Sequence, residues 1–120
     1  MLRLMIVDDS NIIRRKIERC HQSSSEFTVV ASAANGLEAV KVFKEVSPDV
    51  VTMDLTMPEM DGIECIENLL AINPEILILV VSALSDKSTG IEALEKGARG
   101  FLCKPFSDEA LTEALVDLTE

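Results

Sequence analysis

The chain has 120 residues, 48% hydrophobic and 27% charged, with a formal charge of −10 at pH 7. That length is one domain with a core that needs no disulfide or metal staple, and that charge argues against a nucleic-acid partner, which needs a basic face. No apolar stretch reaches transmembrane length and Asp8-Asp9 interrupts the first apolar run too early for a signal peptide, so a cytoplasmic protein with no membrane partner is expected.

Strand and helix patterns alternate five times. Leu4-Met5-Ile6-Val7 reads as a strand and is closed by Asp8-Asp9. Ser10 then stands as the cap of a helix in which Ile13, Ile17 and Cys20 recur at helical spacing. The only basic cluster, Arg14-Arg15-Lys16, lies in this helix and reads as a solvated face; His21, near its end, reads as a helix residue rather than a ligand or base. Phe27 to Ala31 is the second strand. Asn35-Gly36 opens a helix with Leu37, Val40 and Phe43 on one face, and Pro48-Asp49 breaks it. Val50-Val51-Thr52-Met53 is the third strand, closed by Asp54. Asp61-Gly62 reads as a turn and helix start without chemistry of its own. Ile63, Ile66 and Leu70 stripe the third helix, and Asn73-Pro74 ends it.

Ile76 to Val81 is the fourth strand, closed by Ser82. Ile91 and Leu94 stripe the fourth helix, are expected to anchor it to the sheet, and precede a stop at Gly97. Its first half, from Ser85 to Gly90, is poor helix chemistry, since a helical Gly costs about 1 kcal/mol against Ala. The segment 84–90 is therefore expected to be the most mobile regular stretch. Phe101-Leu102-Cys103 is the fifth strand, closed by Lys104-Pro105. Leu111, Ala114, Leu115 and Leu118 stripe a fifth helix that starts near Ser107, and the chain stops after it without a linker.

The first, third and fourth strands are continuous apolar runs, which indicates a parallel sheet covered by helices on both faces. Ligands bind at the carboxyl edge of such sheets. That edge then gathers Asp8, Asp9, Asp54, Lys104 and Ser82, a set suited to a divalent cation beside a phosphoryl group. Cys20, Cys65 and Cys103 have no metal-ligand spacing and read as reduced thiols. Met53, Met57 and Met60 read as packing residues. Alone, each station has an ordinary explanation: a cap pair, a turn acid, a strand-end hydroxyl, a surface lysine.

Four motifs in order, each after a strand, are far more specific. Ile6-Val7-Asp8-Asp9-Ser10, Met53-Asp54-Leu55-Thr56-Met57-Pro58-Glu59-Met60-Asp61-Gly62, Ser82-Ala83 and Lys104-Pro105 resemble the receiver domains of two-component response regulators. The similarity covers residues 1–120 as a single receiver domain and is nearest to the single-domain chemotaxis regulators of the CheY type. It implies a flavodoxin-like (βα)5 three-layer sandwich with a parallel five-stranded sheet in the order 2-1-3-4-5.

The resemblance also implies roles. Asp54 would be the phosphoacceptor for a sensor histidine kinase, since a carboxylate is a competent nucleophile in such transfers. Asp9, Asp54 and the backbone carbonyl of Thr56 would hold Mg²⁺, with Asp8 acting through water and Mn²⁺ or Ca²⁺ able to substitute. Two carboxylates about 4 Å apart repel by roughly 4 kcal/mol at an effective dielectric near 20, so an acid trio is costly unless a cation is present or one acid is protonated. Lys104 would pair with Asp54 and then with the phosphoryl group, across a cis Lys104-Pro105 bond. Ser82 and Phe101 would be the switch pair. A downstream output protein, of the flagellar motor type, would bind the fourth helix, fifth strand and fifth helix of a monomer that is not a metabolic enzyme but assists its own phosphorylation and hydrolysis.

Two positions depart from the chemotaxis pattern. Phe101 replaces a tyrosine and has no hydroxyl to offer a partner, and Leu84 replaces an acid beside the path of the hydrolytic water. Other classes fit less well. A haloacid-dehalogenase-type phosphatase needs a DxDxT pattern, where this chain has Asp8-Asp9-Ser10, and a flavodoxin-type carrier needs aromatics, where this chain has no Trp or Tyr. A receiver module cut from a DNA-binding regulator is the nearer rival.

Overall fold

The computed structural model describes residues 2–22, 26–57, 60–83 and 87–119. In chain order these form β1 (Leu2–Val7), α1 (Asn11–Gln22), β2 (Phe27–Ala33), α2 (Gly36–Val46), β3 (Val50–Met53), α3 (Gly62–Ile72), β4 (Leu77–Ala83), α4 (Lys87–Glu95), β5 (Gly100–Lys104) and α5 (Asp108–Thr119). The strands pair in parallel in the order β2-β1-β3-β4-β5. This is the flavodoxin-like arrangement expected.

Alternate side chains of each strand go to opposite faces. Met5, Val7, Val51, Met53, Ile78 and Val80 join Ala39, Phe43, Cys65, Ile66, Leu69 and Ala93 in the core beneath α2, α3 and α4. Leu4, Ile6, Val50, Leu79 and Val81 join Ile17, Phe106, Leu111 and Leu115 beneath α1 and α5. Two apolar faces explain why the central runs are continuous rather than alternating. Met57 and Met60 pack against the first of these cores.

Helix starts follow local chemistry. The Ser10 hydroxyl accepts from Ile13 N at 3.3 Å, Asn35 Oδ1 from Glu38 N at 2.8 Å, Asp61 Oδ1 from Glu64 N at 2.9 Å, and Ser107 Oγ from Ala110 N at 3.1 Å. Each such cap contributes about 1 kcal/mol. α2 ends at Ser47, whose left-handed φ of 47° lets its N–H reach the Phe43 carbonyl at 3.0 Å, one residue before the expected break at Pro48. No helix among the described residues is long and apolar enough to cross a membrane.

Three expectations are corrected. Ile91 and Leu94 do not anchor α4: they are 59% and 44% exposed, while Gly90 and Ala93 are buried. Two apolar residues three apart mark a face but not its direction. The small residues turned inward because Phe101 already fills the space beneath them, a Cβ on Gly90 falling 2.2 Å from its ring. In α2, Leu37 is likewise exposed and Ala39 takes the buried position. β4 does not close at Ser82 but continues through Ala83, and Ile76 precedes it. The expected mobility of 84–90, the Leu84 departure and the readings of the Cys20 and His21 side chains lie outside the described residues wholly or in part.

Among the described residues, one buried hydroxyl lacks a hydrogen-bond partner. Thr52 is 1% exposed, sits between Ile6 and Leu79 in register, and its hydroxyl makes no hydrogen bond. Leaving a buried hydroxyl unpaired costs about 1–3 kcal/mol, and valine has the same shape without it. Thr52→Val should therefore raise the urea midpoint, by about 1 kcal/mol of stability. A lower midpoint would show that the hydroxyl has a partner in solution.

Candidate functional site

The ladder itself delivers the acids to the carboxyl edge. Asp8 N donates to the Ala33 carbonyl at 3.1 Å and Asp54 N to the Val7 carbonyl at 2.9 Å, so both residues continue the strand pairing. Their side chains are then fixed by the turns that follow. Asp8 Oδ1 accepts from Ser10 N at 2.9 Å and Asp54 Oδ1 from Thr56 N at 3.3 Å. Asp8 and Asp54 are buried, Asp9 is exposed, and one carboxylate oxygen from each of the three lies within 4.8 Å of the others.

Lys104 Nζ lies 3.0 Å from Asp8 Oδ2 and 3.7 Å from Asp54 Oδ1. The expected pairing with Asp54 is thus shared, and Asp8 has the closer contact. The Lys104-Pro105 bond is cis, as the resemblance implies. Ser82 is buried beside Cys103 in register, with Ala83 beside Lys104. Thr56 is exposed on the loop after Asp54. Phe101 is half-buried on β5, its ring against Gly90.

Three carboxylates face one ammonium, and the imbalance shows in Asp54. Burial first, and the neighbouring Asp8 charge second, push its pKa up to about 6; Lys104 and the Thr56 amide pull the other way, and a hydrogen bond with Asp9 adds to the rise. Asp8 Oδ2 meets Lys104 as an ion pair but accepts no hydrogen bond, although it is buried. Hard oxygen donors, excess negative charge and an acceptor without a hydrogen bond suit a divalent cation such as Mg²⁺. Cys65 offers no thiolate, since burial and then the Glu64 and Asp61 charges push it up to about 12.

Two contributors were not visible beforehand. Gly62 reads in the sequence only as part of a turn and helix start, yet a Cβ there would lie 2.5 Å from the Asp54 carbonyl oxygen and from Leu55 Cα. Its N–H donates to the Leu55 carbonyl at 3.1 Å, so α3 begins pressed against the Asp54 loop. The Asp-Gly dipeptide after a proline turn was the available signal. Arg14 donates from Nη1 to the Asp8 carbonyl at 2.5 Å, a contact with no local sequence signal. Asp61 is an exposed helix cap.

Comparison with known proteins agrees with this architecture. The profile of the response regulator receiver domain matches residues 4–116. The chemotaxis protein CheY of Listeria monocytogenes is 45% identical over 96% of this chain and 96% of its own. An uncharacterized transcriptional regulatory protein of Bacillus subtilis, YhcZ, is 37% identical over 93% of this chain but only 52% of its own length. Among solved structures, a CheX–CheY–BeF3–Mg complex from Borrelia burgdorferi superposes with a TM-score of 0.93 at 30% identity, covering 99% of this chain and 90% of that one.

The raised Asp54 value has a defined sign. Below about pH 4 this acid is neutral in both folded and unfolded chains; as pH rises through about 6 the folded chain must ionise it in a buried place, so stability is lost across that window and stays lost above it. The loss is on the order of 2 to 3 kcal/mol. In metal-free buffer Asp54→Asn should therefore melt higher than the parent at pH 7.5, with the advantage shrinking toward pH 4. Calorimetry at the two pH values measures it, and an equal or lower melting temperature at pH 7.5 would contradict the assigned cause.

Proposed function

This chain belongs to the response regulator receiver domain family of two-component signalling, and from that membership we propose that it is a cytoplasmic, single-domain switch phosphorylated on Asp54 by a sensor histidine kinase. The carrying observation is Lys104, whose ammonium reaches both Asp8 and Asp54 beside a third carboxylate at the carboxyl edge of the sheet.

In this reading an Asp54 carboxylate oxygen attacks the phosphorus of a phosphohistidine. The P–N bond breaks, the imidazole leaves with the electron pair, and an acyl phosphate forms. Asp9, Asp54 and the Thr56 backbone carbonyl would hold Mg²⁺, with Asp8 acting through water; Mn²⁺ or Ca²⁺ could take its place. When bound, the cation neutralises charge on the phosphoryl oxygens. Lys104, already 3.7 Å from Asp54, pairs with the incoming phosphoryl group. The Ser82 hydroxyl donates to it, and Phe101 responds to the space that Ser82 leaves. Positioning and charge neutralisation are most of what phosphoryl transfer requires, so these few groups suffice. The same groups serve hydrolysis of the acyl phosphate, and no metabolic substrate is involved.

The output surface is read as α4, β5 and α5. Exposed Ile91 and Leu94 support this, since with Gly90, Phe101 and Cys103 they line an apolar cavity of about 250 Å³. Similarity to CheY over nearly whole chains favours a chemotaxis output of the motor type. The match to about half of YhcZ favours a second reading, in which this is the receiver module of a longer transcriptional regulator.

Asp54→Asn should take up no phosphoryl group from acetyl phosphate in millimolar Mg²⁺, whereas the parent chain gains one phosphate by intact mass. Labelling of that variant at Asp8 or Asp9 would move the acceptor elsewhere. Gly90→Ala tests the switch separately. Its methyl would fall on the Phe101 ring, so the ring resonances should shift and partner affinity change while Asp54 labels at the parent rate. Unmoved Phe101 signals would remove Gly90 from the switch.

A further inference from the structure

The sequence marks Arg14-Arg15-Lys16 as a solvated basic face. In the structure only Arg15 is exposed; Arg14 and Lys16 are half-buried. Residues two apart on an α-helix diverge by about 200°, so the outer pair reach in different directions. Arg14 donates to the Asp8 carbonyl through Nη1 and to Asn11 Oδ1 through Nη2. Lys16 Nζ donates to the Phe106 carbonyl and lies 4.5 Å from the centroid of the Phe106 ring. The chain has 21 acidic residues, yet among the described residues neither cation forms an ion pair with a carboxylate. Both are spent on main-chain carbonyls.

Those carbonyls belong to two of the loops that carry the site. Asp8 heads the β1–α1 loop, and Phe106 follows Lys104-Pro105 in the β5–α5 loop. β1 and β5 are not neighbours, because β3 and β4 lie between them. No ladder hydrogen bond therefore fixes Lys104 against Asp8, although their charged atoms meet at 3.0 Å. α1 packs over β1 and β2 and against α5, the helix that follows the β5 loop, with Ile17 and Phe106 in one core, so it reaches both loops on one face of the sheet. We propose that α1 is the template that sets the acid-to-lysine spacing, with Arg14 as the positioning residue for the Asp8-Asp9 loop and Lys16 as the positioning residue for the Lys104-Pro105-Phe106 loop.

This inference rests on the function proposed above and adds a division of labour. Holding the Asp8 carbonyl fixes the peptide that presents Asp9, so Arg14 governs cation affinity. Holding Phe106 fixes where Lys104 stands, so Lys16 governs phosphoryl uptake once the cation is bound. A merely stabilising role would not separate the two quantities.

The test uses the full chain and the variants Arg14→Gln, Lys16→Met and Lys16→Arg. Arg14→Gln should weaken Mg²⁺ binding roughly tenfold by titration calorimetry, the scale of an outer contact to a metal ligand. Lys16→Met should bind Mg²⁺ within about twofold of the parent yet label with acetyl phosphate roughly tenfold more slowly at saturating Mg²⁺, the scale of a misplaced group. Lys16→Arg should restore the rate. In metal-free protein, Lys16→Met should shift the amide signals of Phe106 and Ser107 but not those of Asp8 to Ser10, and Arg14→Gln the reverse. Parent-like values in both variants, or losses of both quantities that simply track the melting temperature, would overturn the template. Should Arg14→Gln not fold, Arg14→Lys keeps the charge without the fork and should show the same Mg²⁺ defect; parent affinity there overturns the role of Arg14. A parent chain that takes up no phosphate at all overturns the proposed function and the template with it.

Discussion

One ammonium shared between two buried carboxylates governs this molecule. Lys104 stands 3.0 Å from Asp8 and 3.7 Å from Asp54, and both acids are almost wholly out of water. Removing either from solvent is costly unless a positive charge accompanies it. Lys104 supplies one charge where three carboxylates ask for more, so the cluster is under-neutralised. Asp54 shows the deficit directly, its pKa pushed up to about 6 by burial and by Asp8. A site in this condition gains from any added cation, which would link cation binding, stability and the ionisation of Asp54.

Keeping such a cluster together demands a stiff frame, and small residues build much of it. α3 starts against the Asp54 loop because Gly62 has no side chain to hold it off. α4 lies close to β5 because Gly90 and Ala93 face the sheet. The same choice puts Ile91 and Leu94 outside, where they line a cavity together with Phe101. Thus the packing that seats the aromatic also creates the apolar surface next to it. Any movement of the Phe101 ring would be felt at that surface, which is what the proposed coupling of the sheet edge to a partner requires.

The strands, the caps and the acids were legible because their signals are local. Ser10, Asn35, Asp61 and Ser107 each bond an amide three residues on, and the continuous apolar runs announced a sheet covered on both faces. Asp8, Asp54 and Lys104 could be placed at one edge because parallel strands all end on the same side. The resemblance to receiver domains then added the strand order and the cis Lys104-Pro105 bond, which periodicity does not contain.

What stayed hidden depended on residues far apart in the chain. The stripe of Ile91 and Leu94 named a face, but its direction was decided by the Phe101 ring beneath Gly90, eleven residues onward. Arg14 and Lys16 looked like solvated charge because their partners are backbone carbonyls, which every residue has and no sequence pattern marks. The closer partner of Lys104 proved to be Asp8, across two intervening strands. The sequence by itself therefore determined which groups reach the carboxyl edge, since strand ends and caps are short-range chemistry. Only the tertiary structure decided which charges touch and which helix face is wet, because those follow from packing distances between elements remote along the chain.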